Sequence, residues 1–118
     1  MNIDEIAKQQ FSERMSGELL HIEVEKWKDE TGQPVKIYFK PSMTFKQQQK
    51  ILKFANEQDQ AKTVIMTFIT RSLDAEGKRI FSDACLTDIL NTYDPEIVSD
   101  IVLQMRALSQ DEEDIKKN

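Results

Sequence analysis

From Leu20 to Lys40 the chain alternates apolar and polar residues. Leu20, Ile22 and Val24 face one way with His21, Glu23 and Glu25 opposite, and Val35, Ile37 and Phe39 repeat the pattern against Lys36, Tyr38 and Lys40. Asp29-Glu30-Thr31-Gly32-Gln33-Pro34 lies between and reads as a turn, so the segment predicts an antiparallel hairpin with one buried face. A lone hairpin is marginal in water, and its apolar side needs helices or another chain's strands. Glu23 and Glu25 on one strand suit charge pairing with Lys36 and Lys40 on the other. Trp27 continues the polar set, which places it with Tyr38 on the outer face. There the two would form a binding hot spot, unless a terminal helix folds over and buries them.

Before and after the hairpin the period becomes helical. Ile3, Ile6, Ala7, Gln10 and Phe11 form a thin stripe that predicts a weak N-terminal helical arm over 1–16. Thr44 is a good N-cap for a helix over 44–58, with Phe45, Ile51, Leu52 and Ala55 toward one side. Asp59 starts the next helix, 60–73, after a short elbow. Its apolar arc from Val64 to Leu73 covers more than half the circumference, as in a central helix. Ser82 opens a helix over 82–92 through Leu86, Ile89 and Leu90. Asp94-Pro95-Glu96 opens the last, 95–109, whose stripe is Ile97, Val98, Ile101, Val102, Met105 and Leu108. Leu103 falls off that stripe, either as an ordinary exposed leucine or as an oligomer contact. The whole reads as an α+β domain over 1–109, mainly helical with one antiparallel hairpin on a helical bundle. The charged run 110–118 cannot bury enough surface to offset ordering and is expected to be a mobile tail.

The joint between the third and fourth of these helices is the most informative segment. It runs Leu73-Asp74-Ala75-Glu76-Gly77-Lys78-Arg79-Ile80-Phe81, a polar turn with Gly77 at an expected positive φ, followed by an apolar clip that buries Ile80 and Phe81. With the apolar helix Val64-Ile65-Met66-Thr67-Phe68-Ile69-Thr70-Arg71-Ser72 before it and Ser82-Asp83 after it, the order resembles the tail assembly chaperones of long-tailed bacteriophages. The resemblance spans residues 60–108, with an echo in Lys40-Pro41-Ser42-Met43-Thr44. It implies a non-catalytic protein of the bacterial host cytoplasm, phage or prophage encoded, that coats the tape measure protein and keeps it soluble until tail tube protein polymerises around it. It also implies self-association, for which the hairpin edge and the arm are the natural elements. A longer frameshifted form is common in that family, and Lys116-Lys117-Asn118 is a sequence that a slippery run of adenines can encode. The competing reading is a small monomeric adaptor that binds one host or phage protein through Trp27 and Tyr38.

Composition narrows the function classes. At 118 residues and 39% apolar the chain is one soluble domain that can bury a core without disulfides or metal. It has no stretch of about 18 apolar residues, and its N-terminus is acidic where a signal peptide would be basic. These features place it in the cytoplasm and off the membrane. A net charge of −5 argues against nucleic acid. One exception is local: residues 36–53 carry Lys36, Lys40, Lys46, Lys50 and Lys53 and no acid. Lys46, Lys50 and Lys53 share a helical face, either a solvated surface or a docking site for an acidic partner.

No catalytic constellation emerges. The three glycines cannot supply a phosphate or dinucleotide loop, and no HExxH is present. Asp74-Ala75-Glu76-Gly77 lacks the spacing and closing glutamate of a calcium loop. The single histidine, His21, reads as a surface strand residue, and the single cysteine, Cys85, as a small buried apolar one. No enzyme activity, cofactor or metal is therefore expected.

Overall fold

The chain is described by a computed structural model that covers the backbone of residues 2–117 and the side chains of residues 2–111. Among the described residues the fold is α+β and mainly helical, in the order α1 (Ile3–Ser16), β1 (Leu20–Lys28), β2 (Pro34–Phe39), α2 (Phe45–Asn56), α3 (Gln60–Arg71), a 3-10 turn (Asp83–Cys85), α4 (Leu86–Thr92) and α5 (Pro95–Lys117). The final helix thus runs past Ser109, where the periodicity placed its end. The mobility expected for 110–118 concerns residues whose side chains lie almost entirely outside those described.

The strands pair antiparallel with Leu20 opposite Phe39, Ile22 opposite Ile37 and Val24 opposite Val35. Alternation therefore points Ile22, Val24, Ile37 and Phe39 into one core, all of them buried. That core is completed by Ile51 of α2, by Ile65, Met66, Phe68 and Ile69 of α3, by Ile89 of α4, and by Val98, Ile101 and Met105 of α5. As its wide apolar arc predicts, α3 is central and packs on α2, α4 and α5, while β1 lies against α5.

Caps explain where the helices begin. Asn2 accepts from the Glu5 N–H at 2.9 Å. Thr44 and Gln47 form a capping box, and Asp59 accepts from the Lys62 N–H at 3.0 Å. The elbow between α2 and α3 is a helix stop in which Gln58 takes φ +58° and the Asp59 N–H donates back to the Phe54 carbonyl at 3.0 Å. In α2 the inward residues are Ile51 and, in part, Phe54. Phe45 and Leu52, expected on the buried side, are instead 90% and 46% exposed.

Two loops of the chain are built alike. In Asp29–Gln33 the aspartate Oδ1 accepts from the N–H groups two and four residues on, at 2.8 and 3.0 Å, and the aspartate N–H donates to the Gln33 carbonyl at 2.8 Å. Asp74–Lys78 repeats this with 2.9, 3.0 and 2.8 Å. Each has glycine at the fourth place, Gly32 at φ +82° and Gly77 at φ +84°. The Thr31 hydroxyl and the loop N–H groups hold the Asp29 carboxyl below its usual pKa. A Cβ at Gly77 would meet nothing nearer than Leu19 Cδ1 at 3.8 Å, and one at Gly32 nothing within 4 Å. Only backbone strain opposes alanine there, so Gly32→Ala and Gly77→Ala should each cost about 1–2 kcal/mol in urea unfolding. A marked loss at one position with none at the other would break the equivalence of the loops.

The second loop closes a miniature hairpin that extends the sheet. Leu73 exchanges backbone hydrogen bonds with Tyr38 at 2.7 and 2.9 Å, and it bridges Arg79 on its other side. This pairing is why α3 ends at Arg71 and not at Leu73. The expected clip is half right. Phe81 packs on Phe68 with ring centroids 5.0 Å apart, but Ile80 is 44% exposed, because neighbours in an extended segment face opposite ways. The helix expected from Ser82 begins as the 3-10 turn. Ser82 makes no side-chain cap bond, and the Asp83 carboxylate is taken by Lys50 and Arg79, each at 2.8 Å. Those two hydrogen-bonded cations hold Asp83 below the ordinary aspartate pKa.

Candidate partner-binding surfaces

The residues singled out in the sequence do not gather on one face. A β-bulge separates Val24 opposite Val35 from Lys28 opposite Pro34, and the added residues reverse the alternation at Trp27. Trp27 is thereby turned toward the core, where its ring stands edge-on to Phe68 at 6.2 Å and to Tyr93 at 5.7 Å. Tyr38 stays on the other side of the hairpin, tilted against exposed His21 at 5.6 Å. Lys46 and Lys53 are exposed on α2, with Lys53 lying 5.7 Å over the Phe54 ring. Lys50, between them, is bonded to Asp83. Leu103 is 64% exposed on α5. Cys85 is half-buried beside the core, with Sγ 3.7 Å from Ser82 Oγ.

Two concave surfaces stand out. The first is an aromatic groove of about 310 Å3, walled by Trp27, Phe81 and Tyr93 with exposed Ile80 at its lip and Asp94 at its end. Tyr93 is partly desolvated here, which raises its phenol above the usual pKa. Trp27 is a candidate from the sequence pattern, whereas nothing in that pattern marks Ile80, which the apolar clip places in the interior.

The second lies under the N-terminal arm. No residue of α1 is buried, and Ile3 and Ile6 are 85% and 51% exposed. Arg14 Nη2 reaches the Pro41 carbonyl at 3.3 Å, and between the arm and the domain runs a cleft of two lobes, about 400 and 710 Å3. The lobes share Phe11, Ser42, Met43, Thr44 and Arg71. Arg71 is the organiser. From the last turn of α3 its Nη2 donates to the Lys40 carbonyl at 2.7 Å and to Ser109 Oγ at 3.0 Å, and its guanidinium lies 5.4 Å over the Phe39 ring. Burial, with a contribution from the Arg14 charge, lowers its pKa from the ordinary arginine value, though it stays charged at any physiological pH. Lys40, expected on the polar hairpin face opposite the glutamates, follows β2 and lines this cleft. Among the described residues no group of histidines, cysteines and acids is placed to hold a metal ion, and no helix is long and apolar enough to cross a membrane.

No protein-family model matches the sequence, and no curated protein does. Among solved structures, the bacteriophage HK97 tail assembly chaperone aligns over 90% of this chain and 95% of that one, with a TM-score of 0.61 at 19% sequence identity. Nearly end to end, then, this chain has the fold seen in the HK97 tail assembly chaperone.

Proposed function

We propose that the chain is a non-catalytic phage tail assembly chaperone that binds a tape measure protein and keeps it soluble in the bacterial cytoplasm while the tail tube assembles. The observation that carries this reading is the near full-length match in fold to the HK97 protein, which coincides with a sequence resemblance drawn independently from residues 60–108. Physical features agree with it. Holding a long helical polypeptide calls for amphipathic recesses and repeated weak contacts whose avidity grows along the partner. The aromatic groove and the arm cleft are recesses of that kind. Copies that associate would supply the repetition. Among the described residues β1 offers an unpaired edge and α1 an arm with exposed isoleucines, while the β2 edge is occupied at Tyr38 by Leu73. The adaptor alternative needed Trp27 and Tyr38 on one surface, and the bulge sets them on opposite sides of the hairpin.

Co-expression with the tape measure candidate encoded nearby tests the proposal. The partner should move from the insoluble to the soluble fraction and co-purify, and no gain in solubility would remove the reading. Sedimentation across a concentration series should show species larger than the monomer.

A further inference from the structure

The chain carries a net charge of −5, yet the floor of the arm cleft is cationic. Lys40, Arg71 and Arg79 line its inner lobe together with the hydroxyl residues Thr44 and Thr70, and no carboxylate is among the described lining residues. Thr70 Oγ1, Arg71 Nε and Ser72 Oγ, in three consecutive residues at the end of α3, are buried without a hydrogen-bond partner among the described residues. Buried polar groups are ordinarily paired, and these unsatisfied ones gather at the end of α3 that underlies a floor lined by cations and by no described carboxylate. The opposite wall is apolar, made by Phe11 and Met15 of α1. Phe45, 90% exposed, stands at the mouth of the outer lobe. Lys40 belongs to the acid-free lysine run of residues 36–53, and the fold brings Arg71 to it from a distant segment, along with Arg79, which is already ion-paired to Asp83 at 2.8 Å.

We infer that the arm cleft is a docking site for an acidic, apolar-flanked segment of a partner polypeptide, with a carboxylate on Lys40 and Arg71 and the adjoining apolar side chain against Phe11 and Met15. The inference rests on the reading of this chain as a holder of another polypeptide and adds the partner's chemistry. A free inorganic anion would leave the apolar wall wet. A nucleic acid needs a run of phosphate contacts, whereas Arg71 is already committed to Lys40, Ser109 and Phe39 and has little left for more than one acceptor.

The test uses the full chain and a fluorescein-labelled peptide of repeating Leu-Glu-Glu-Leu, with the Leu-Gln-Gln-Leu peptide as its neutral twin. Anisotropy should show the glutamate peptide binding at least about tenfold tighter than the glutamine one, the size of one charge-assisted hydrogen bond. Lys40→Gln keeps the backbone carbonyl that Arg71 uses and should weaken binding by a similar factor. Lys28→Gln, at the far end of β1, should leave it unchanged. Equal affinity for the two peptides, parental affinity in Lys40→Gln, or binding of inorganic sulfate with no binding of either peptide would each overturn the assignment. Co-expression separates this inference from the broader reading. A Lys40→Gln chain that solubilises the tape measure candidate as well as the parent does overturns the cleft assignment and leaves the chaperone reading standing. A parent that solubilises nothing removes that reading, while the peptide titration still decides the cleft.

Discussion

Phe68→Ala should destabilise the fold by about 3–5 kcal/mol, the range for emptying a buried phenylalanine site. Against a total of about 5–15 kcal/mol for a domain of this kind, that leaves the protein near its unfolding threshold. The reason is position. Phe68 is fully buried and sits where Trp27, Phe81 and Tyr93 meet, with centroids at 6.2, 5.0 and 6.4 Å. Those three rings come from the hairpin, the joint after α3 and the α4–α5 corner, so one side chain links elements from both halves of the chain. Collapse is hard because the cavity walls are themselves large rings with edge-on geometry to keep. Trp27 is the only tryptophan and reports directly on this cluster. Its emission should move to longer wavelength in Phe68→Ala before denaturant is added, and the urea midpoint should fall sharply. Unchanged emission with a loss under about 1 kcal/mol, the scale of a surface substitution, would show that the rings do not act as one core.

The parts of the fold that local chemistry determines were legible in the sequence. The inward set of the hairpin follows from alternation. The starts of α2, α3 and α5 follow from Thr44, Asp59 and the Asp94-Pro95 pair, and the central place of α3 follows from its apolar arc. What escaped is non-local or breaks a period. A bulge changes the parity of a strand, and nothing in Glu25-Lys26-Trp27 announces one, so alternation alone puts Trp27 on the wrong face. The single-residue pairing of Leu73 with Tyr38 has no period to detect. Lys40 looked like the last polar residue of a strand, and only the end of β2 at Phe39 releases it toward the arm. The candidate surfaces were legible only in part for the same reason. The lysine run was visible, but Arg71 and Arg79 reach that cleft through tertiary folding, and in sequence Arg71 is merely a basic residue closing an apolar helix.

That arginine carries the second large effect. Arg71→Ala should cost about 2–3 kcal/mol, because it deletes two hydrogen bonds from a charged donor in a part-buried site. Its partners are distant in sequence: Lys40, 31 residues earlier, and Ser109, 38 residues later. Ser109 itself donates to the Met105 carbonyl at 2.7 Å, so its hydroxyl proton is used and its lone pair faces the arginine. Removing the guanidinium leaves that lone pair and the Lys40 carbonyl to find water in the cleft. Arg71→Lys should recover little, since an ammonium lacks the planar donor array that reaches both acceptors while lying over Phe39. A double-mutant cycle with Ser109→Ala isolates the bond to α5, with an expected coupling of about 1 kcal/mol. The effect should be flat between about pH 5 and 9, because an arginine remains protonated throughout that range even with its pKa drawn down. Additive losses in the cycle, or a strong pH dependence near neutrality, would show that the stability at this position comes from side-chain packing and not from the charged staple between β2, α3 and α5.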